Sequence, residues 1–150
     1  MRCEKCWGIE LNSNNFENIE SHSAIYISQF LNDPDSFLFS ENRFDNIEST
    51  NDGGAIYLDQ PKSATLKSNQ FTKVIVTKEN GKGGAVYINQ LNKASTLDSN
   101  SFQKCEAAQG GALFWEYEEP LLLNNTFEEN EASKYARDIG SYARSLKFIS

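Results

Sequence analysis

The chain has one histidine, three cysteines and three prolines in 150 residues. His22, the single histidine, stands away from any second ligand and reads as an ordinary surface residue. Cys3 and Cys6 form a lone Cys-x-x-Cys with no second pair and no histidine at metal spacing. That pattern argues against zinc and leaves a disulfide or two free thiols. No cofactor or metal is expected. Basic residues are also scarce: 14 Lys and Arg against 21 Asp and Glu give a net charge of −7. This balance disfavours nucleic acid and anionic membrane surfaces, both of which need a Lys/Arg surface. No apolar run approaches the roughly 18 residues of a membrane-spanning helix. The first ten residues, MRCEKCWGIE, lack the apolar core of an export signal. Helical stretches of ten or more residues with 3.6-residue periodicity are missing too, which excludes leucine-rich, ankyrin and paired-helix repeats.

What the chain has instead is repetition. Asn-x-Phe occurs five times, as Asn14/Phe16, Asn42/Phe44, Asn69/Phe71, Asn100/Phe102 and Asn125/Phe127. The phenylalanines are 28, 27, 31 and 25 residues apart. Five residues before each stands an apolar residue: Leu11, Phe39, Leu66, Leu97 and Leu122. Three residues after come Ile19, Ile47, Val74 and Cys105, and in the last unit Asn130. Gly-Gly-Ala recurs at Gly53–Ala55, Gly83–Ala85 and Gly110–Ala112, with Ser23-Ala24 a degenerate first copy. A fixed period of this length denotes stacked repeats.

The apolar runs are short, β-branched and aromatic, and are punctuated by Gly, Asn, Asp and Ser. Each period holds about three short strands; residues 85–89, 95–99 and 102–106 are one such set, and 24–28 opens another. The expected fold is therefore all-β: a single-stranded, right-handed parallel β-helix of about five coils, with residues 9–150 forming the helix and 1–8 a cap or a truncated coil. Equivalent positions stack roughly 4.8 Å apart. An asparagine at a turn can pair its amide with those above and below, and a phenylalanine can stack on its neighbours in the interior. Asn14, Asn42, Asn69, Asn100 and Asn125, with Phe16, Phe44, Phe71, Phe102 and Phe127, are thus predicted as structural ladders. Cys105 takes an apolar slot and reads as a buried thiol. The insertions at 29–36 and 77–82 belong to corners, where binding loops tend to lie. Residues 146–149 are expected to form one more closing strand.

Strand alternation around Gly-Gly-Ala places Ile25, Ile56, Val86 and Leu113 inside, with Ile27, Leu58, Ile88 and Trp115. It sends Tyr26, Tyr57, Tyr87 and Phe114 outward, along with Ala24, Ala55, Ala85 and Ala112. The aromatic strip can be a docking surface for a partner protein or a sugar chain; the structural alternative is neighbour packing that stabilises the sheet. Beside it runs a column of Ser28, Asp59, Asn89 and Glu116. Catalysis on a polysaccharide would need paired carboxylates on neighbouring coils. Asp59 and Glu116 lie two coils apart, roughly 10 Å, with no Lys or Arg in the column, so an enzyme is not expected. The acidic run Glu116, Glu118, Glu119, Glu128, Glu129 and Glu131 reads as a solvated face, with a cation or basic-partner site as the other reading. Asn124-Asn125-Thr126 is a glycosylation sequon that matters only in a secreted chain.

Gly53-Gly54-Ala55-Ile56, Gly83-Gly84-Ala85-Val86 and Gly110-Gly111-Ala112-Leu113, alternating with Phe-centred motifs that include Phe127–Asn130, resemble the repeats of the polymorphic outer membrane protein family. That family is grouped with the pectin-lyase-like β-helices. Similar repeats occur in ciliate surface proteins, where a unit like YARDIGSY (residues 135–142) closes the array. The resemblance implies a cell-surface or extracellular setting and a structural or adhesive role. The reading that follows is a non-catalytic structural or protein-interaction module, a subunit or piece of a larger assembly, with a partner protein capping a solenoid end. The alternative is a carbohydrate-binding or carbohydrate-cleaving surface module.

Overall fold

The computed structural model describes residues 1–4, 8–28, 36–91 and 95–143. Cys6, most of the 29–36 insertion and the closing strand expected at 146–149 lie outside the described residues. The described residues contain strands and turns and no helix. The first coil holds β1 (Arg2–Glu4), β2 (Ile9–Asn12) and β3 (Asn15–Ser21). The second holds β4 (Ile25–Ser28), β5 (Ser36–Ser40) and β6 (Arg43–Ser49), and the third β7 (Ile56–Asp59), β8 (Ser63–Lys67) and β9 (Gln70–Val76). The fourth holds β10 (Val86–Leu91), β11 (Thr96–Asp98), β12 (Ser101–Gln103) and β13 (Glu106–Gln109). The fifth holds β14 (Leu113–Tyr117), β15 (Leu121–Leu123), β16 (Thr126–Glu128) and β17 (Glu131–Tyr135), and β18 (Ile139–Ala143) begins another turn.

Every strand pairs in parallel with its counterpart one coil away. The first sheet runs β1-β4-β7-β10-β14-β18 and the second β2-β5-β8-β11-β15. The third joins β3, β6 and β9 to the strand pairs β12/β13 and β16/β17. The chain is thus a parallel β-solenoid of about five turns. Register puts Phe16, Phe44, Phe71, Phe102 and Phe127 in one column. The unequal spacing of these residues in the sequence is absorbed between strands and leaves the stacking in register.

A second regularity bends the third sheet. Asn18, Asn46, Lys73, Lys104 and Glu129 stack at its middle with φ of 54°, 53°, 51°, 55° and 52°. A left-handed residue resets the in–out alternation of a strand. Both Phe71 and Val74 therefore point inward although they are three positions apart, and both are fully buried. The strand expected over 102–106 is cut at this bend into β12 and β13.

The alanines differ from the expected pattern. Ala24, Ala55, Ala85 and Ala112 were assigned outward by alternation, yet they are 1, 0, 0 and 0 % exposed and belong to the core. The chain is still turning at these positions. The Ala85 carbonyl accepts N–H groups from both Ala55 and Ile56, and the Ala112 carbonyl from both Ala85 and Val86. Two successive residues thus face inward before alternation begins, and the first of them carries only a methyl. Gly84 sits in the same corner, where a Cβ would lie 2.0 Å from the Gly111 carbonyl oxygen. Gly83 before it has a φ of +63°, open to glycine at no steric cost.

The interior is a set of like-on-like columns. The phenylalanine rings stack with centroids 4.9, 4.9, 4.8 and 5.0 Å apart and interplanar angles of 7° or less. Cys3 is disulfide-bonded. Cys105 is a free thiol with no exposure, in the slot of Ile47 and Val74. Burial pushes its pKa up to about 12.

Candidate functional site

The asparagine column is a continuous hydrogen-bonded ladder. The Asn42 backbone N–H and Nδ2 both donate to Asn69 Oδ1, each at 3.0 Å, and Nδ2 also donates to the Leu11 carbonyl at 2.8 Å. Asn69 repeats the pattern onto Asn100 and the Phe39 carbonyl, and Asn100 onto Asn125 and the Leu66 carbonyl. Asn14 starts it by donating to Asn42 Oδ1. Each inner amide oxygen accepts two bonds and each inner amide nitrogen donates two, so these buried groups are satisfied. Asn130 applies the same device in the last coil. Its Oδ1 accepts the Cys105 backbone N–H at 2.9 Å, and its Nδ2 donates to the Phe102 carbonyl and to Asp138 Oδ1. The residue that breaks the apolar slot in sequence thus gives that column a polar end.

On the outer face of the first sheet, register stacks Arg2, Tyr26, Tyr57, Tyr87, Phe114 and Gly140. The four predicted partner-binding aromatics are brought together, but they do not form an open strip. Tyr26 and Tyr57 are half-buried, Tyr87 is 5 % exposed and Phe114 is fully buried. Tyr26 and Tyr57 stack face to face at 4.4 Å and 9°. Ring faces are thus spent on ring faces. Tyr57 and Tyr87 follow at 5.3 Å and 44°, and Tyr142 meets Phe114 edge-on at 80°. With no side chain, Gly140 leaves room for that edge, since a Cβ there would lie 2.7 Å from Phe114 Cδ2.

What covers the upper half is Lys82. Its ammonium lies 5.7, 5.4 and 4.6 Å from the ring centres of Tyr87, Phe114 and Tyr142. It also pairs with Glu116 Oε1 at 2.6 Å, an oxygen that accepts the Tyr87 hydroxyl at 3.0 Å. Lys82 ends the 77–82 insertion and is held there by its main chain. Its N–H donates to Asp52 Oδ1 and its carbonyl accepts the Gly53 N–H, both at 2.9 Å. A cation ringed by three aromatics with a carboxylate counter-ion is an intramolecular cation–π clamp. Burial first, then the Glu116 charge, holds the Tyr87 phenol far above its usual range, and burial and Asp59 do the same for Tyr57.

The polar column is also rearranged. No lysine was expected beside it, yet the corner delivers Lys82 to Glu116. Asn89 Nδ2 donates to Asp59 Oδ1 at 2.8 Å, and burial is the main cause that raises the Asp59 pKa. Register slips between Ile88 and Leu91 against β14, so Glu116 is not the simple continuation of Asp59 and Asn89. The two carboxylates have different partners and are not a matched pair.

Sequence reasoning missed a groove of about 650 Å³ along the bend of the third sheet, lined among others by Lys73, Lys104, Arg137, Glu106, Glu129 and Glu131. Lys104 and Glu129 pair across neighbouring coils at 3.5 Å. The signal for it was the position two residues after each ladder Phe, which the left-handed bend turns outward. His22 is exposed, and so is Asn124 of the sequon. Glu118, Glu119, Glu128, Glu129 and Glu131 are exposed as well. Among the described residues no group of three or more His, Cys, Asp or Glu side chains could hold a metal ion.

A parallel β-solenoid built of stacked Phe and Asn ladders, with a clamped aromatic column outside, defines the class of protein. The family model described as the Chlamydia polymorphic membrane protein (Chlamydia_PMP) repeat matches residues 36–59. That stretch runs from the start of β5 to the end of β7, one full turn. Neither curated proteins nor solved structures yield a match to the chain.

Proposed function

We propose that the chain is a non-catalytic structural and protein-interaction module of a cell-surface protein or assembly. The similarity of residues 36–59 to a polymorphic membrane protein repeat supports the surface setting. The observation that carries the rest is where the solenoid uses its bonding capacity. Inner asparagines and phenylalanines are fully engaged by the coils on either side, and the outer aromatics by one another and by Lys82. Among the described residues the capacity left over lies in the outermost coils, where Ile9, Leu11, Phe16, Ile19, Leu122, Phe127 and Ile139 are only partly buried. A module of this kind acts by holding shape and by docking at its ends or corner loops, not by turning over a substrate.

Surface biotinylation of intact source cells, followed by native purification and mass spectrometry, tests this reading. Recovery from the labelled fraction, within a defined assembly or a longer polypeptide, is the expected result. Polysaccharide turnover by the purified chain that disappears in Asp59→Asn would overturn it.

A further inference from the structure

We infer that Asn124 carries an N-linked oligosaccharide. The inference rests on the cell-surface reading and adds to it a modification that this surface bears.

Asn124-Asn125-Thr126 is the single Asn-x-Ser/Thr sequence of the chain. The fold gives its two asparagines different places. Ser13, Glu41, Ser68, Ser99 and Asn124 stand first in the two-residue corner between the second and third sheets, with φ of 56°, 55°, 56°, 57° and 51°. This left-handed conformation is one that asparagine tolerates well. The ladder asparagines, Asn125 among them, stand second. Asn124 is exposed, and so is Thr126 at the start of β16. The amide and the hydroxyl that a transferase must recognise thus both face water. Their exposure does not depend on what stacks on the fifth coil. Glu41 and Ser99 in the same corner column, and Arg43 and Gln70 in the column of Thr126, are exposed although a coil lies on either side of each.

Hydrogen-bond accounting separates Asn124 from the ladder. An inner ladder asparagine has no amide hydrogen to give up: those of Asn69 go to the Phe39 carbonyl and to Asn100 Oδ1. Asn124 Nδ2 donates one, to Asp98 Oδ1 at 3.3 Å, and among the described residues the other has no acceptor. In the transfer, Nδ2 attacks the anomeric carbon of an oligosaccharide borne on a polyprenyl pyrophosphate. The bond from that carbon to the pyrophosphate oxygen breaks, the lipid pyrophosphate leaves, and Nδ2 gives one proton to the transferase's base. One amide hydrogen remains, so the bond to Asp98 survives. The Thr126 hydroxyl is likewise uncommitted, with no hydrogen-bond partner among the described residues. The corner also suits a sugar by its position. The insertions at 29–36 and 77–82 fall at the other two corners of the coil, and the Lys82 clamp lies on the first sheet. An oligosaccharide on Asn124 shields the second and third sheets and leaves the first open to a partner.

The test takes the protein from its source cells, divided by surface biotinylation into labelled and unlabelled fractions, and treats each with peptide N-glycosidase in heavy-oxygen water. A loss of mass on treatment, with heavy oxygen incorporated at Asn124, is the expected result. Thr126→Ala, expressed in the same cells, should lose the sugar, while Thr126→Ser should keep it. After deglycosylation Thr126→Ala should melt at the same temperature as the parent, which separates recognition by the transferase from a structural role. An unmodified Asn124 in the recovered chain, in either fraction, would overturn the inference, and so would a sugar that persists in Thr126→Ala. An unmodified chain in the labelled fraction would leave the cell-surface reading standing. A chain confined to the unlabelled fraction would count against that reading whatever Asn124 carries.

Discussion

At the scale of the residue, an asparagine in this solenoid behaves as part of the backbone. Replacing Asn69 by Ala removes the one oxygen that accepts two donors of Asn42, takes the side-chain donor from the Phe39 carbonyl and leaves Asn100 Oδ1 with the backbone N–H alone. Buried groups left unmatched cost about 1–3 kcal/mol each where no water reaches them. The variant should lose on the order of 3 kcal/mol or more in urea denaturation, whereas Asn14→Ala, at the half-buried start of the column, should lose under about 1 kcal/mol. Cys105 has a pH signature. Folded, its thiol keeps the proton to about pH 12, against an ordinary value near 9. Above pH 9 the unfolded chain releases a proton that the folded chain retains, so this residue's contribution to stability falls as pH rises between about 9 and 12. At pH 8 a thiol reagent should label Cys105 only at the rate of unfolding, and fast labelling would place the side chain elsewhere. Both roles were legible in sequence, because period and residue type suffice to predict a stack.

At the scale of the element, the corners are constrained by backbone against backbone. An alanine at Gly84 would drive its methyl into the Gly111 and Glu106 main chains, at 2.0 and 2.7 Å, which no side-chain rotation relieves. Gly84→Ala should cost about 3 kcal/mol or more, or abolish folding, as read by circular dichroism and thermal melting. The 77–82 insertion behaves as a strap whose anchor is Lys82. Lys82→Met keeps the length of the side chain and removes the charge. The ion pair is largely buried and the cation lies against three rings, so a loss of about 1–3 kcal/mol is expected, with faster exchange of amides around Tyr87 and Phe114. Unchanged stability and exchange would show that the clamp holds nothing. Strap and clamp were hidden in sequence, because Lys82 lies five residues from Tyr87 and 34 from Glu116, and nothing in the repeat marks a corner lysine as facing the sheet. The inward alanines were hidden for a related reason: alternation was counted from residues that are still turning.

At the scale of the whole molecule, each coil packs mainly on the coils above and below it, so stability is close to a sum of coil and interface terms, with the Lys82–Tyr142 contact a longer-range exception. Among the described residues coils two to four have neighbours on both sides, the first coil has one, and the fifth is covered on its far side by β18 alone. Native-state hydrogen exchange should therefore show the strongest protection at β5 to β12 and a decline toward β2, β3, β16 and β17. Uniform protection would mean a single cooperative unit. The sequence by itself determined the period, the strand class, the parallel stacking and the identity of the ladder residues, because a solenoid puts residues one period apart in direct contact and local pattern is then long-range structure. Only the tertiary structure decided what closes over the outer aromatics and which carboxylate meets which cation. Those depend on where corner loops and left-handed bends carry side chains across the coil, a direction in which the repeat has no period to read.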